Sequence, residues 1–132
     1  MNLTMEELQD FEKDIIQWYL DNYPEIAENL SAQFSLAKLK QREFTSGAGS
    51  FLWLQMPKET KPTEYSPSSS QLDGPMIQSS ELEHGASVGL GFVGAGIIDY
   101  IEIWCHGGDY PHNRHPSDWQ LGHQSVNYVD LR

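Results

Sequence analysis

A single cysteine, Cys105, stands in 132 residues, which excludes an intrachain disulfide and any cysteine-rich zinc cage and points to a reducing compartment. Cations are scarce as well. Lys and Arg number 8 against 19 Asp and Glu, for a formal net charge of -11 with His neutral. A field of that sign repels phosphate backbones and anionic lipid and steers basic molecules inward, so a nucleic-acid ligand and a membrane surface are both disfavoured. There is also no uninterrupted apolar run long enough to span a bilayer, and Met1-Asn2-Leu3-Thr4-Met5-Glu6-Glu7 has neither the basic start nor the apolar stretch of a secretory leader. The expected location is cytoplasmic.

What remains is enough for one folded domain spanning 1–132. The chain has the commonest single-domain length, and its hydrophobic fraction of 39%, with 11% aromatic, supplies an ordinary core. Thr4-Met5-Glu6-Glu7 has the form of a capping box and predicts a helix start. Leu8, Phe11, Ile15 and Trp18 or Tyr19 then recur at steps of three and four, with Glu12, Lys13 and Asp14 mostly off that stripe. Pro24 ends the pattern and suits the first turn of a second helix, in which Ile26, Leu30 and Phe34 fall on one side at four-residue steps.

From Leu36 the pattern turns to strands. Residues 36–45 suit an edge strand. Phe51 to Met56 read as a strand apolar on both faces, stopped by Pro57, and therefore as an inner strand. Residues 58–75, rich in Pro, Ser and Thr, predict a long flexible surface loop, followed by a short strand within 76–82. Between Ala86 and Cys105 a hairpin can be written with its register: a two-residue turn at Ala95 and Gly96 sets Leu90 opposite Ile101 and Val88 opposite Ile103, with Gly91 and Gly89 across from Tyr100 and Glu102. Asp99 then falls awkwardly on the core side, near enough to the turn to reach solvent. Ser125 to Val129 suits a last short strand. Helices first and a meandering sheet afterwards predict an α+β domain, two N-terminal helices on a mainly antiparallel sheet in two layers.

No catalytic residues are expected. His106, His112 and His115 fall within ten residues of one another, near Asp109 and Asp118, and imidazole with carboxylate is a metal-ligand set. Their spacing matches neither HExxH nor a zinc knuckle, and a proline-punctuated loop presents ligands poorly unless the metal itself folds it. A metal-dependent enzyme on these three histidines is the alternative to a binding protein; the primary expectation includes no metal and no cofactor. Cys105 and His106, adjacent in a strand, point to opposite faces and do not share a proton. The glycine pairs Gly47/Gly49, Gly89/Gly91 and Gly94/Gly96 lack the following helix and lysine of a phosphate loop.

The hairpin's second face carries Tyr100, Glu102 and Trp104, continued in sequence by Asp109, Tyr110 and Trp119. Aromatic anchors among carboxylates suit recognition of a basic protein. The same aromatics would equally serve as a second core layer beneath the helices, and the sequence leaves both placements open. A small-ligand module floored by the glycines is a third reading.

Phe44-Thr45-Ser46-Gly47-Ala48-Gly49-Ser50-Phe51, Glu81-Leu82-Glu83-His84-Gly85-Ala86, Ile98-Asp99-Tyr100-Ile101-Glu102-Ile103 and Asp109-Tyr110-Pro111 together resemble a loosely defined group of small bacterial proteins. These have a helical start, a TGxGF strand, an ELExGAG strand and a strand closing on a Tyr-Pro or Trp-Pro loop. Ser46, Ser87 and the insertion after Pro57 depart from that pattern. Similar small acidic domains serve as immunity proteins in bacterial toxin systems, so the resemblance implies a partner: a basic toxin domain, plausibly a nuclease, whose active site is occluded. The residues expected to meet it are Tyr100, Glu102, Trp104, Asp109, Tyr110 and Trp119.

Overall fold

The structure, a computed structural model, describes residues 7–63, 71–94 and 96–123. Helices α1 (Asp10–Asn22) and α2 (Ala27–Leu36) precede strands β1 (Lys38–Phe44), β2 (Gly49–Gln55), β3 (Gln71–Gln78), β4 (Ala86–Val93), β5 (Ile97–Cys105) and β6 (Gln120–Gly122). The six strands form one sheet in the order β1-β2-β5-β4-β3-β6, every neighbouring pair antiparallel. This is the α+β architecture that the sequence pattern predicts.

Both helices lie on one face. Phe11, Ile15 and Tyr19 of α1, with Leu30 and Phe34 of α2 and Ile26 at its N-cap, are buried against Leu52, Leu54, Leu72, Val88, Leu90, Ile101 and Ile103 of the sheet. The α1 start differs from the expectation. Residues 1–6 lie outside the described range, but Glu7 and Leu8 are not helical and α1 opens at Asp10. The reason is Glu12, whose Oε1 accepts from the Gln9 backbone N–H at 2.9 Å, making Gln9 the cap residue instead of Thr4.

In the β4–β5 hairpin Leu90 faces Ile101, Val88 faces Ile103, Gly91 faces Tyr100 and Gly89 faces Glu102, as the alternation predicts. The turn differs. Phe92 pairs with Ile98 and Val93 with Ile97, so the loop has three residues and a bulge falls at Asp99. One extra residue reverses the phase of the strand. Ile98 therefore enters the core at 1% exposure and Asp99 is spared burial on that side.

The loop predicted over 58–75 is shorter than expected, because Asp73, Gly74 and Pro75 lie inside β3, at a register shift between Asp73 and Met76. Helix α1 shapes this irregularity. Tyr19 Oη donates to the Leu72 carbonyl at 2.9 Å and Tyr23 Oη to the Asp73 carbonyl at 2.7 Å, and a Cβ at Gly74 would stand 2.4 Å from Tyr19 Oη. Glycine lets the tyrosine reach the strand, and the bulge accommodates Pro75, which has no N–H for a ladder. The proposed strand over Ser125–Val129 lies outside the described residues; β6 precedes it. No helix among the described residues is long and apolar enough to cross a membrane.

Candidate functional site: the outer face of the sheet

Alternation along β2 and β5 sends every second side chain away from the helices. Phe51 and Trp53 of β2 and Tyr100 of β5 meet there: the Phe51 and Trp53 rings stack at 5.0 Å and 8°, and Tyr100 lies 5.7 Å from Phe51 and 5.2 Å from Trp53. Two carboxylates flank the rings. Glu43 Oε1 accepts from Trp53 Nε1 at 3.0 Å. Gln71 Nε2 donates to Glu102 Oε1 at 2.7 Å and to Tyr100 Oη at 3.1 Å.

The glycines opposite are occupied space. A Cβ at Gly91 would stand 2.1 Å from the Tyr100 ring, and one at Gly89 would stand 2.1 Å from Gln71 Oε1. Tyr100 and Gln71 lie flat across the two positions, so the glycine floor imagined for a small ligand is already filled. Trp104, next outward along β5, is 36% exposed. Beside it Ser87 Oγ and His106 Nε2 are hydrogen-bonded at 2.6 Å.

Of the six residues expected to form one partner surface, Tyr100, Glu102 and Trp104 share this face. Asp109 is exposed on the loop after β5, with its carboxylate beside Gly47. Tyr110 and Trp119 belong elsewhere: the backbone turns after Gly108, and Tyr110 N donates to the Gly47 carbonyl at 2.7 Å, which aims its ring into the helix side at 2% exposure. Trp119 packs edge-on against Phe11 at 5.1 Å and donates from Nε1 to Asp14 Oδ2 at 2.8 Å. Both are core-layer aromatics on the helix side, whereas Tyr100, Glu102 and Trp104 lie on the outer face. Phe51, Trp53 and Glu43 join this face without being among those six; the apolar pattern of β2 on both faces is the sequence signal for Phe51 and Trp53.

The histidines are likewise separated. His106 joins Ser87 on the outer face, His112 is exposed, and His115 is buried. His115 Nε2 meets Glu12 Oε2 at 2.9 Å and its Nδ1 meets Tyr110 Oη at 2.6 Å. Arg42 grips the same carboxylate through Nε at 2.6 Å and Nη2 at 2.8 Å, a bidentate pair, and also donates to the Glu7 carbonyl at 2.9 Å. Burial alone would push the Glu12 carboxyl up; Arg42, His115 and the Gln9 N–H together outweigh it and hold the pKa at about 2. Burial pushes Tyr110 well above its ordinary value, against a hydrogen bond from Ser50. A protonated Tyr110 donating to Nδ1 leaves Nε2–H to donate to Glu12, which satisfies every member.

Protein contacts hold the loop bearing His112 and His115. Arg114 pairs with Glu81 at 2.7 Å, and Asp118 accepts from Ser79 Oγ at 3.0 Å and Ser80 Oγ at 2.8 Å. Among the described residues no group of three His, Cys, Asp or Glu side chains is placed to hold a metal ion. Cys105 packs against the core, and burial first, with Asp109 second, raises its thiol pKa. That keeps it protonated and a weak nucleophile.

Compared with protein-family models, with curated proteins and with solved structures, the chain matches none.

Proposed function

We propose that this chain is a protein-binding domain of the immunity type, which docks its outer sheet face on a basic toxin domain, such as a nuclease, and occludes its active site. The carrying observation is the aromatic group of Phe51, Trp53 and Tyr100, left on the side away from both helices and flanked by Glu43 and Glu102. Rings held in place by stacking and by hydrogen bonds lose little freedom on binding, and Trp and Tyr are the commonest anchors of interfaces. A chain of net charge -11 accelerates encounter with a cationic partner through long-range attraction. The resemblance to immunity-type domains supports the same reading.

The test is capture of the tagged protein's partner from its native cell lysate at low salt, a high-salt wash, and mass spectrometry. The expected outcome is a stoichiometric basic protein that binds the wild type and is lost with Trp104→Ala and Trp53→Ala. A partner held equally well by both variants would place the interface elsewhere. A bait that returns no stoichiometric partner would remove the reading.

A further inference from the structure

At one end of the sheet a second surface is built with the opposite charge. Lys38 opens β1 opposite Gln55, the last residue of β2, and the chain leaves β2 through Met56, Pro57 and Lys58. The last turn of α2 delivers Leu36 to the same place. Gln33 ties the surroundings together: its Nε2 donates to the carbonyls of Lys61 and Gly96, each at 3.0 Å, and its Oε1 accepts from Ile98 N at 2.8 Å. The segment around Lys61 and the tip of the β4–β5 hairpin are thereby fixed at this end. Leu36, Lys38, Gln55, Met56 and Pro57 line a groove of about 200 Å³. Leu36 is 41% exposed and Val93, at the hairpin tip, 54%.

The cations divide sharply. Lys13 lies beside Asp10, Arg42 on Glu12 and Arg114 on Glu81. Among the described residues, the cations with no carboxylate at ion-pair distance are Lys38, Lys40, Lys58 and Lys61: Lys38 lines the groove, Lys40 follows it along β1, Lys58 follows Pro57 in sequence, and the Lys61 backbone is held to α2 by Gln33. In a chain where acids outnumber bases 19 to 8, four unpaired lysines on β1 and on the segment leaving β2, against the single acid Glu59 in that segment, concentrate positive charge around this apolar groove.

We infer that this end docks an acidic protein segment, which inserts one large apolar side chain between Leu36, Met56 and Pro57 while its carboxylates face Lys38, Lys58 and Lys61. The volume suits a single Leu- or Phe-sized side chain. Charge complementarity selects acidic flanks, and the rest of this acidic surface rejects the same segment elsewhere.

Fluorescence anisotropy tests this with a fluorescein-labelled peptide that carries Asp and Glu around a central Leu, beside the same peptide with Gly in place of Leu, at low salt. The Leu peptide is expected to bind, to weaken with added salt, and to weaken about tenfold or more with Lys38→Glu/Lys58→Glu and, separately, with Leu36→Ser. All three positions are exposed, and circular dichroism confirms folding; should the double variant unfold, Lys58→Glu alone and the salt titration on the wild type decide. Trp104→Ala is expected to bind the peptide normally, which separates this surface from the outer face. No binding at low salt, equal binding of the Gly peptide, unchanged affinity in the variants, or binding only to phosphatidylserine-containing vesicles each overturns the assignment.

Discussion

On the helix side of the sheet, Glu12 is gripped by Arg42, His115 and the Gln9 N–H, with a side chain 3% exposed. On the outer side, Glu102 accepts from Gln71 and stays half-buried, and Glu43 accepts from Trp53 on an exposed strand. The aromatics divide in the same way. Tyr19 and Tyr23 turn their hydroxyls onto carbonyls of β3 and Tyr110 onto His115, whereas Phe51 stacks on Trp53 and Tyr100 leans against both, beside the open Trp104. The same residue types tie the helices to the sheet on one face and bond to other strands of the sheet on the other, and what separates them is whether a helix packs over them.

The largest effect is expected at Glu12. Glu12→Ala strands Arg42 and His115 without their carboxylate, and removing one member of a buried ion pair costs about 3–5 kcal/mol; urea unfolding followed by tryptophan fluorescence measures it. Glu12 also makes stability depend on pH. Its folded pKa, about 2, lies below the ordinary value of 4.5, so its contribution is present in full above pH 4.5 and disappears as pH falls toward 2. Thermal unfolding across that window is expected to show the loss, and the slope is expected to shrink in Glu12→Gln.

Gly91→Ala comes next. Its Cβ meets the Tyr100 ring, at a cost of about 1–3 kcal/mol for overpacking, and in a double-mutant cycle Tyr100→Ala is expected to relieve it. Should the two substitutions prove additive, the ring does not lie over the glycine. Tyr19→Phe removes the donor to Leu72 and is expected to cost about 1 kcal/mol, up to about 3 if the buried carbonyl finds no other donor. Trp104→Ala, at the open end of the outer face, is expected to change stability by less than about 0.5 kcal/mol while abolishing capture of the basic partner. A large stability loss there would erase the contrast between the faces.

Sequence periodicity located both helix stripes and the pairing of Leu90 with Ile101 because those positions obey local rules of 3.6 and 2. It failed where a distant contact decided the local form. Glu12 read as a surface acid, since nothing near it announces Arg42, thirty residues on, or His115. Asp73, Gly74 and Pro75 read as a loop because the tyrosines that shape the bulge belong to α1. Nearness in sequence groups Tyr110 and Trp119 with Tyr100, whereas one turn after Gly108 carries them to the other face. On the outer face, the alternation of β5 disclosed Tyr100, Glu102 and Trp104, but the contribution of β2 required knowing that β2 lies beside β5.

The partnership of Glu12 with His115 spans 103 residues, and that of Asp14 with Trp119 spans 105. Closing so long a loop is entropically costly and slows folding. As the chain leaves the ribosome, α1 is complete long before the residues that anchor its first turn exist. Until residue 119 emerges, the apolar stripe of Phe11, Ile15 and Tyr19 has α2 and an incomplete sheet to lie on, and the buried carboxylate waits for its imidazole.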